Sequence, residues 1–389
     1  MKPSARCRDV VLERLRIQNF RNIGQADLAW GAGLNLVVGG NGQGKTNLLE
    51  AIALLASGRS FRRVPAAVLR RHGQEGFYLH GEVESGGLRH RLEISARGAQ
   101  QTVRLNGKGV TASSAMGRAL AAVVLTPDAP ALVRGAPEER RNHLDWILFC
   151  QEPSHAGVVR DYQTALRSRN HLLRSQCADG RQWDAWESRL AELGAQITWK
   201  RRRMLRLLEE RLSPFLEAMA LDPAGYRWQM RPPQAGSSEE WVAGEQTAVA
   251  SGYQAALRKS RQSDQRAGCT SVGPHREDPL FLQNGRALAR FGSRGQQKRF
   301  LLALKLAEAE LLRARLGESP LLLLDDPTTE LDREGIVRLM GLLAAGENQL
   351  FLATCTAEEI VGFTSRPVCC IRVEEGVFGS DGATCNTAW

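Results

Sequence analysis

Apolar and polar residues alternate from Val11 to Ile17, the period of a strand with one face in a core. Leu34 to Val38 is a short apolar run that ends in glycines, and the polar residues between the two predict a hairpin-like connection. Beyond the glycines, Leu48, Ile52 and Leu55 recur at helical spacing across Asn47 to Ser57, and Gly58 supplies a C-terminal stop. The order is strand, glycine-rich loop, helix. Phe77 to Val83, Leu88 to Ser95 and Gln101 to Leu105 read as antiparallel strands with Asn106-Gly107 as turn chemistry, and Ala121 to Leu125 reads as a buried strand.

From Pro137 to Arg266 the pattern turns helical, with Glu- and Arg-rich faces in Glu187 to Arg211 and in Glu239 to Arg261. Pro214, Pro232-Pro233 and Gly236 to Ser238 punctuate it. Strand signals return from Cys269 onward: Pro320 to Asp325 and Gln349 to Ala353 are apolar, and a long helix covers Ser293 to Arg315. Alternation of this kind predicts an α/β fold whose mixed sheet, with its antiparallel meander, is shared by both ends of the chain around an inserted helical domain. The expected boundaries are 1–136, 137–266 and 267–389. No repeat of fixed period and no sustained heptad is present.

The 389 residues suffice for two or three domains. Lys plus Arg number 52 against 42 Asp plus Glu, a net charge of +10, and with 43% hydrophobic residues the composition excludes disorder and collagen. Lysine occurs only at 2, 45, 108, 200, 259, 298 and 305, so the positive charge is mostly arginine, whose planar fork suits phosphate. A polyanionic partner such as nucleic acid fits this balance. No apolar run approaches a membrane span and Met1 to Val10 lacks a signal-peptide core, so no membrane and a cytoplasmic location are expected. The eight scattered cysteines contain no C-x-x-C pair and read as free thiols.

Gly39-Gly40-Asn41-Gly42-Gln43-Gly44-Lys45-Thr46 fits G-x-x-x-x-G-K-[ST], after a strand and opening a helix as that motif requires. Its glycines let backbone N–H groups curl around phosphates and the helix N-terminus adds its dipole. Lys45 would reach the β and γ oxygens of a bound triphosphate, and Thr46 would give a hydroxyl to Mg²⁺, its usual companion. Pro320 to Asp326 is a buried strand that ejects two acids at its C-terminal end. Asp325 would hold Mg²⁺, directly or through water, and Asp326 would orient or activate the attacking water. In Phe291-Gly292-Ser293-Arg294-Gly295-Gln296-Gln297, Ser293 precedes a helix and can bind a phosphate oxygen or simply cap that helix, while Gly295 permits close approach.

Phosphate loop, S-x-G-Q opening a helix, Walker B strand and then Pro327-Thr328-Thr329-Glu330-Leu331-Asp332 together resemble the ATP-binding-cassette superfamily, in which the last stretch is the D-loop. Far more chain separates Thr46 from Phe291 than a compact transporter ATPase needs, yet without the coiled coil of SMC proteins. Leu15 to Asn22, Gly58 to Arg62, Pro127, Leu132 to Pro137, Arg140-Arg141, Leu144-Asp145, Arg169-Asn170 and Gly273-Pro274-His275-Arg276 resemble the RecF family of bacterial recombination-mediator ATPases over nearly the whole chain.

The resemblance implies an ABC-type ATPase head that closes as a head-to-tail homodimer on ATP, with each nucleotide between one chain's phosphate loop and the other's Ser293, Gly295 and Gln296. Asp332 would help set the neighbouring site, and Arg21 and Asn22 would join the nucleotide-binding residues. It further implies slow hydrolysis, binding of double-stranded, gapped or junction DNA, and work with RecO and RecR in loading RecA during repair and replication. Two alternatives are an ATP-binding transporter subunit and a DNA-binding scaffold with a degenerate cassette; the long insert opposes the first, and intact Lys45, Thr46, Asp325 and Asp326 oppose the second.

The chain departs from the usual cassette twice. Leu125-Thr126-Pro127-Asp128 has no glutamine, with Asp128 as a candidate substitute, and Thr354-Cys355-Thr356 stands where a switch histidine is usual, so a hydroxyl or water would take that job. Arg59, Arg62, Arg63, Arg70 and Arg71 fit DNA phosphates or a solvated basic face equally, as do Arg201, Arg202, Arg203 and Arg206, the last within helical reach of Glu209 and Glu210. His275 reads as a structural histidine rather than a catalytic one.

Overall fold

The computed structural model describes residues 10–62, 64–110, 119–126, 129–175, 180–231, 245–357, 360 and 368–385. Arg63, Pro127, Asp128, the Pro232-Pro233 pair and the Gly236 to Ser238 stretch lie outside the described residues. Strands β1 (Val11–Phe20), β2 (Ile23–Ala29) and β3 (Leu34–Val38) lead into helices α1 (Lys45–Ser57) and α2 (Ala66–Leu69). A meander of β4 (Gly76–Ser85), β5 (Leu88–Arg97), β6 (Gln100–Leu105) and β7 (Lys108–Gly109) precedes β8 (Ala122–Leu125). Helices α3 (Pro130–Arg134), α4 (Pro137–Gln151), α5 (His155–Ser175) and α6 (Gly180–Ala218) follow, then β9 (Tyr226–Arg231), α7 (Gln246–Ala267), β10 (Asp278–Gln283), β11 (Arg286–Ala287) and α8 (Leu288–Phe291). The chain continues through α9 (Arg294–Leu316), β12 (Leu321–Asp325), α10 (Arg333–Ala345), β13 (Leu350–Thr354), β14 (Val368–Glu374) and β15 (Val377–Cys385).

Two compact units result: Met1–Ala129 with Pro214–Leu221 and Arg294–Trp389, and Pro130–Ser213 with Asp222–Ser293. The second unit thus starts before the expected 137 and runs past the expected 266: β10 packs with α4, α8 packs with α3, and β11 packs with β10 and α8.

The first unit holds two six-stranded sheets. One is antiparallel, in the order β2-β1-β4-β5-β6-β7; the other has the order β15-β14-β3-β13-β12-β8 and is parallel except for the β14–β15 hairpin. Both ends of the chain therefore share the second sheet. Helix α1 packs against strands of both sheets, which is why its buried residues include Leu48, Leu49, Ile52, Leu54 and Leu55 around most of its circumference rather than along one stripe. Strand β12 is buried along its whole length and reads as a continuous apolar run for the same reason. The hairpin β14–β15 accounts for much of the C-terminal segment.

The second unit has a helical core from α5, α6 and α7, with Tyr162, Leu190, Ile197, Val249, Tyr253 and Leu257 at its centre. It is not purely helical: β9, β10 and β11 form an antiparallel sheet, with Trp228 and Phe281 in contact across β9 and β10. Two buried arginines organise this unit. Arg169 donates to Asp264 (2.8 Å), Thr270 (2.9 Å) and Glu187 (3.1 Å). Arg201 donates to both oxygens of Asp145 (2.8 and 2.7 Å) and to the Pro274 carbonyl (2.8 Å), so it is neither a DNA contact nor part of a solvated face. Among the described residues, no helix is long and apolar enough to cross a membrane.

Candidate nucleotide site

Parallel pairing builds the site. Strand β13 lies between β3 and β12, with Thr354 opposite Val38 and Ala353 opposite Asp325. The residues that leave these strands, Gly39, Cys355 and Asp326, therefore emerge side by side at one edge of the sheet. Ligands of open α/β sheets collect at this carboxyl edge.

The loop from Gly39 to Gly44 is braced on three sides. Gly39 donates to the Thr354 carbonyl (3.3 Å), and a Cβ built at Gly39 would stand 2.4 Å from the Val373 carbonyl oxygen, so only glycine fits there. Asn22 donates to the Gln43 carbonyl (3.0 Å) and accepts from Asn47 (2.8 Å). The turn between β14 and β15 closes the third side, where Gly376 donates to the Gln43 carbonyl (2.8 Å). Gly44, with φ of 124°, then releases the chain into α1.

Lys45, first residue of that helix, is 4% exposed and folds back over the loop. Its ammonium donates to the carbonyls of Gly39 (2.8 Å) and Gly40 (3.1 Å) and lies 3.5 Å from Cys355 Sγ. Cys355 in turn is 3.2 Å from the Asn41 side-chain oxygen, so an exposed thiol stands at the mouth of the loop where the usual cassette has a switch histidine.

Asp325 is wholly buried, and both of its carboxylate oxygens lack a hydrogen-bond partner. Burial pushes its pKa up; the Thr46 side chain lies close enough to offset part of that rise without completing a hydrogen bond. An unpaired buried carboxylate is costly unless a cation joins it. Asp325 and Thr46 together are hard oxygen donors suited to Mg²⁺, which keeps several waters and takes few protein ligands. Asp326 is half-buried in the left-handed region, φ 45°, with its N–H bound to the Ala353 carbonyl (3.0 Å). Lys298 of α9 donates to the Asp326 carbonyl (3.3 Å), and burial lowers the pKa of that ammonium while Glu330, Asp326 and Asp325 raise it.

The structure does not bring every expected residue to the phosphate loop. Arg21 makes a bidentate pair with the buried Glu50 of α1 (2.9 Å to each oxygen), which also receives the Ser60 hydroxyl, so its guanidinium supports the helix behind the loop. Arg62 lies 3.5 Å from the same carboxylate and donates to Asn47 (3.3 Å), which takes it out of a fully solvated basic face. Asp332 caps α10 by accepting from Gly335 (2.8 Å). Ser293 directly precedes α9, and Gly295 and Gln296 form its opening turn. His275 is held by Tyr162 at Nδ1 (2.7 Å) and by the Thr270 carbonyl at Nε2 (3.1 Å), and burial lowers its pKa to about 4. Asn47, Glu50 and Lys298 carried no sequence signal, because each acts through a partner at least ten residues away in the chain.

The N-terminal domain family of RecF, RecN and SMC proteins matches residues 11–377. A protein of Magnetococcus marinus described as DNA replication and repair protein RecF is 47% identical over 94% of this chain and 97% of its own length. A solved structure of the recombination mediator protein RecF with ATP, from the RecFOR pathway, superposes with a TM-score of 0.82 at 28% identity, covering 96% of this chain and 99% of the other. The Smc head domain of Pyrococcus furiosus shares the fold, at a TM-score of 0.54 and 14% identity over 95% of each chain.

Proposed function

The chain belongs to the RecF family of DNA replication and repair proteins, with an ABC-type ATPase head and an inserted helical unit, and from that membership we propose that it is an ATP-gated DNA clamp. ATP enters at the Gly39–Gly44 loop, whose N–H groups and helix dipole receive the phosphates. Lys45 exchanges its carbonyl partners for the β and γ oxygens. Thr46 and Asp325 would hold Mg²⁺, which would neutralise charge on the phosphates. Asp326 orients the attacking water. The observation that carries this reading is the unpaired, buried Asp325 carboxylate beside Thr46.

A second copy supplies Ser293, Gly295 and Gln296 across the nucleotide, and Asp332 sets the neighbouring site. Each ATP then stabilises only the closed dimer and shifts the equilibrium toward it. Hydrolysis is slow and reopens the clamp, since the described site offers a thiol at Cys355 and no imidazole there. The clamp binds double-stranded or gapped DNA through backbone phosphates, acts with RecR and RecO in the cytoplasm, and through them aids RecA loading.

Fluorescence anisotropy on duplex and gapped DNA, with and without Mg-ATP and across a salt series, tests the reading. Wild type should bind in an ATP-dependent manner, and Lys45→Ala should lose that dependence. Binding indifferent to ATP would reduce the basic charge to a non-specific attraction and sink the gated clamp.

A further inference from the structure

Lys298 occupies an unusual place for an ammonium group. It is 5% exposed, lies on α9 one turn beyond Gly295, and spends its charge on a main-chain carbonyl, that of Asp326. Asp326 is the residue after β12, and its left-handed backbone is a conformation that residues with a side chain seldom adopt. Something must hold it there. On one side its N–H is bound to β13 at Ala353; on the other its carbonyl is bound by Lys298. Because the backbone dihedrals set the direction of the Cα–Cβ bond, these two contacts aim the Asp326 carboxylate.

The surroundings link this grip to the opening turn of α9. Glu330 of the D-loop is also left-handed, φ 69°, and acts electrostatically on Lys298. A Cβ built at Gly295 would lie 3.6 Å from the Glu330 carbonyl, and Arg294 lies 3.8 Å from the Glu330 carboxylate. Gly295 and Lys298 share one rigid helix, so a displacement of the first carries the second with it. Hydrogen bonds weaken steeply with small changes in length and angle.

We propose that Lys298 is a positioning residue that holds the Asp326 carboxylate for hydrolysis and makes that hold depend on where the signature turn sits. Engagement of Gly295 and Gln296 with the second copy's nucleotide thereby sets the water-orienting group of the chain's own site. The inference rests on the reading of Asp326 as that group, and the controls separate the two.

The test compares Lys298→Met and Lys298→Arg with wild type, measuring ATP affinity by calorimetry, kcat by phosphate release, dimerisation by sedimentation and folding by thermal melting. Lys298→Met keeps the aliphatic stem and should lower kcat about tenfold, with ATP affinity and ATP-driven dimerisation within about twofold of wild type. Lys298→Arg restores a donor and should recover at least about half of kcat. Wild-type kcat in Lys298→Met, or loss of affinity in step with kcat in both variants, overturns the proposal. Asp326→Asn with wild-type turnover would overturn the reading on which it rests.

Discussion

Replacing Asp325 by asparagine should stabilise the free protein and, in the same molecule, remove most of its response to Mg-ATP. The wild-type carboxylate is fully buried with both oxygens unpaired. A buried polar group left unsatisfied costs about 1–3 kcal/mol, and more when charged. Asparagine fills the same volume without a charge to desolvate but leaves its own amide unsatisfied, so the net gain is about 1 kcal/mol. Nucleotide reverses the order: at a ligand concentration 100 times Kd, wild type gains about 2.7 kcal/mol. The variant, with no anionic oxygen for the metal, gains only a fraction of this. Thermal melts with and without Mg-ATP should show the two curves exchanging places.

The sign of the pH dependence follows from the raised pKa. Above its folded value Asp325 is charged in both states and the full penalty applies; below the ordinary 3.8 it is protonated in both and the penalty vanishes. The stability gap between variant and wild type should therefore be widest at neutral pH and close as the solution is acidified. An Asp325→Asn protein less stable than wild type without nucleotide, or equally stabilised by Mg-ATP, would falsify the argument.

Three further outcomes are expected. Gly39→Ala puts a methyl 2.4 Å from the Val373 carbonyl, so the loop must shift and ATP affinity should drop about tenfold by calorimetry; unchanged affinity would show that β14 yields instead. Arg169→Met leaves Asp264 buried without a cation, while Glu187 keeps Arg261 (2.7 Å), and should cost the helical unit about 3 kcal/mol in urea unfolding, with ATP affinity preserved; a loss under about 1 kcal/mol would count against the network. Cys355 is exposed and lies 3.5 Å from Lys45 Nζ, so ATP should slow its alkylation by iodoacetamide, read by peptide mass spectrometry; equal rates would place the nucleotide elsewhere.

Local chemistry made the phosphate loop legible. A tight glycine-rich turn between an apolar run and a helix is specified by neighbours in sequence, and so are the apolar run of β12 with its terminal acids and the meander with its Asn-Gly turn. These elements and the α/β class needed only period, turn residues and glycine. The three-stranded sheet of the second unit was not legible: β9 is six residues flanked by prolines and glycines, and it pairs with β10 some fifty residues later. The arginines divided for the same reason. Arg201 and Arg203 look alike in Lys200-Arg201-Arg202-Arg203, yet Arg201 meets Asp145 and Glu277 from other elements while Arg203 lies over Trp199.

By itself, the sequence determined which residues are candidates for the chemistry: Lys45, Thr46, Asp325 and Asp326 belong to motifs whose spacing is local. Tertiary structure alone decided what each of them faces. Register between β3, β13 and β12 sets Cys355 beside Lys45, helix α9 delivers Lys298 to the Asp326 carbonyl, and Glu50 draws Arg21 away from the loop. Such contacts join residues up to about three hundred positions apart, and they depend on burial, where a charge without a partner is costly. A linear pattern carries the period of an element, and only the packed chain decides which partner completes each charge.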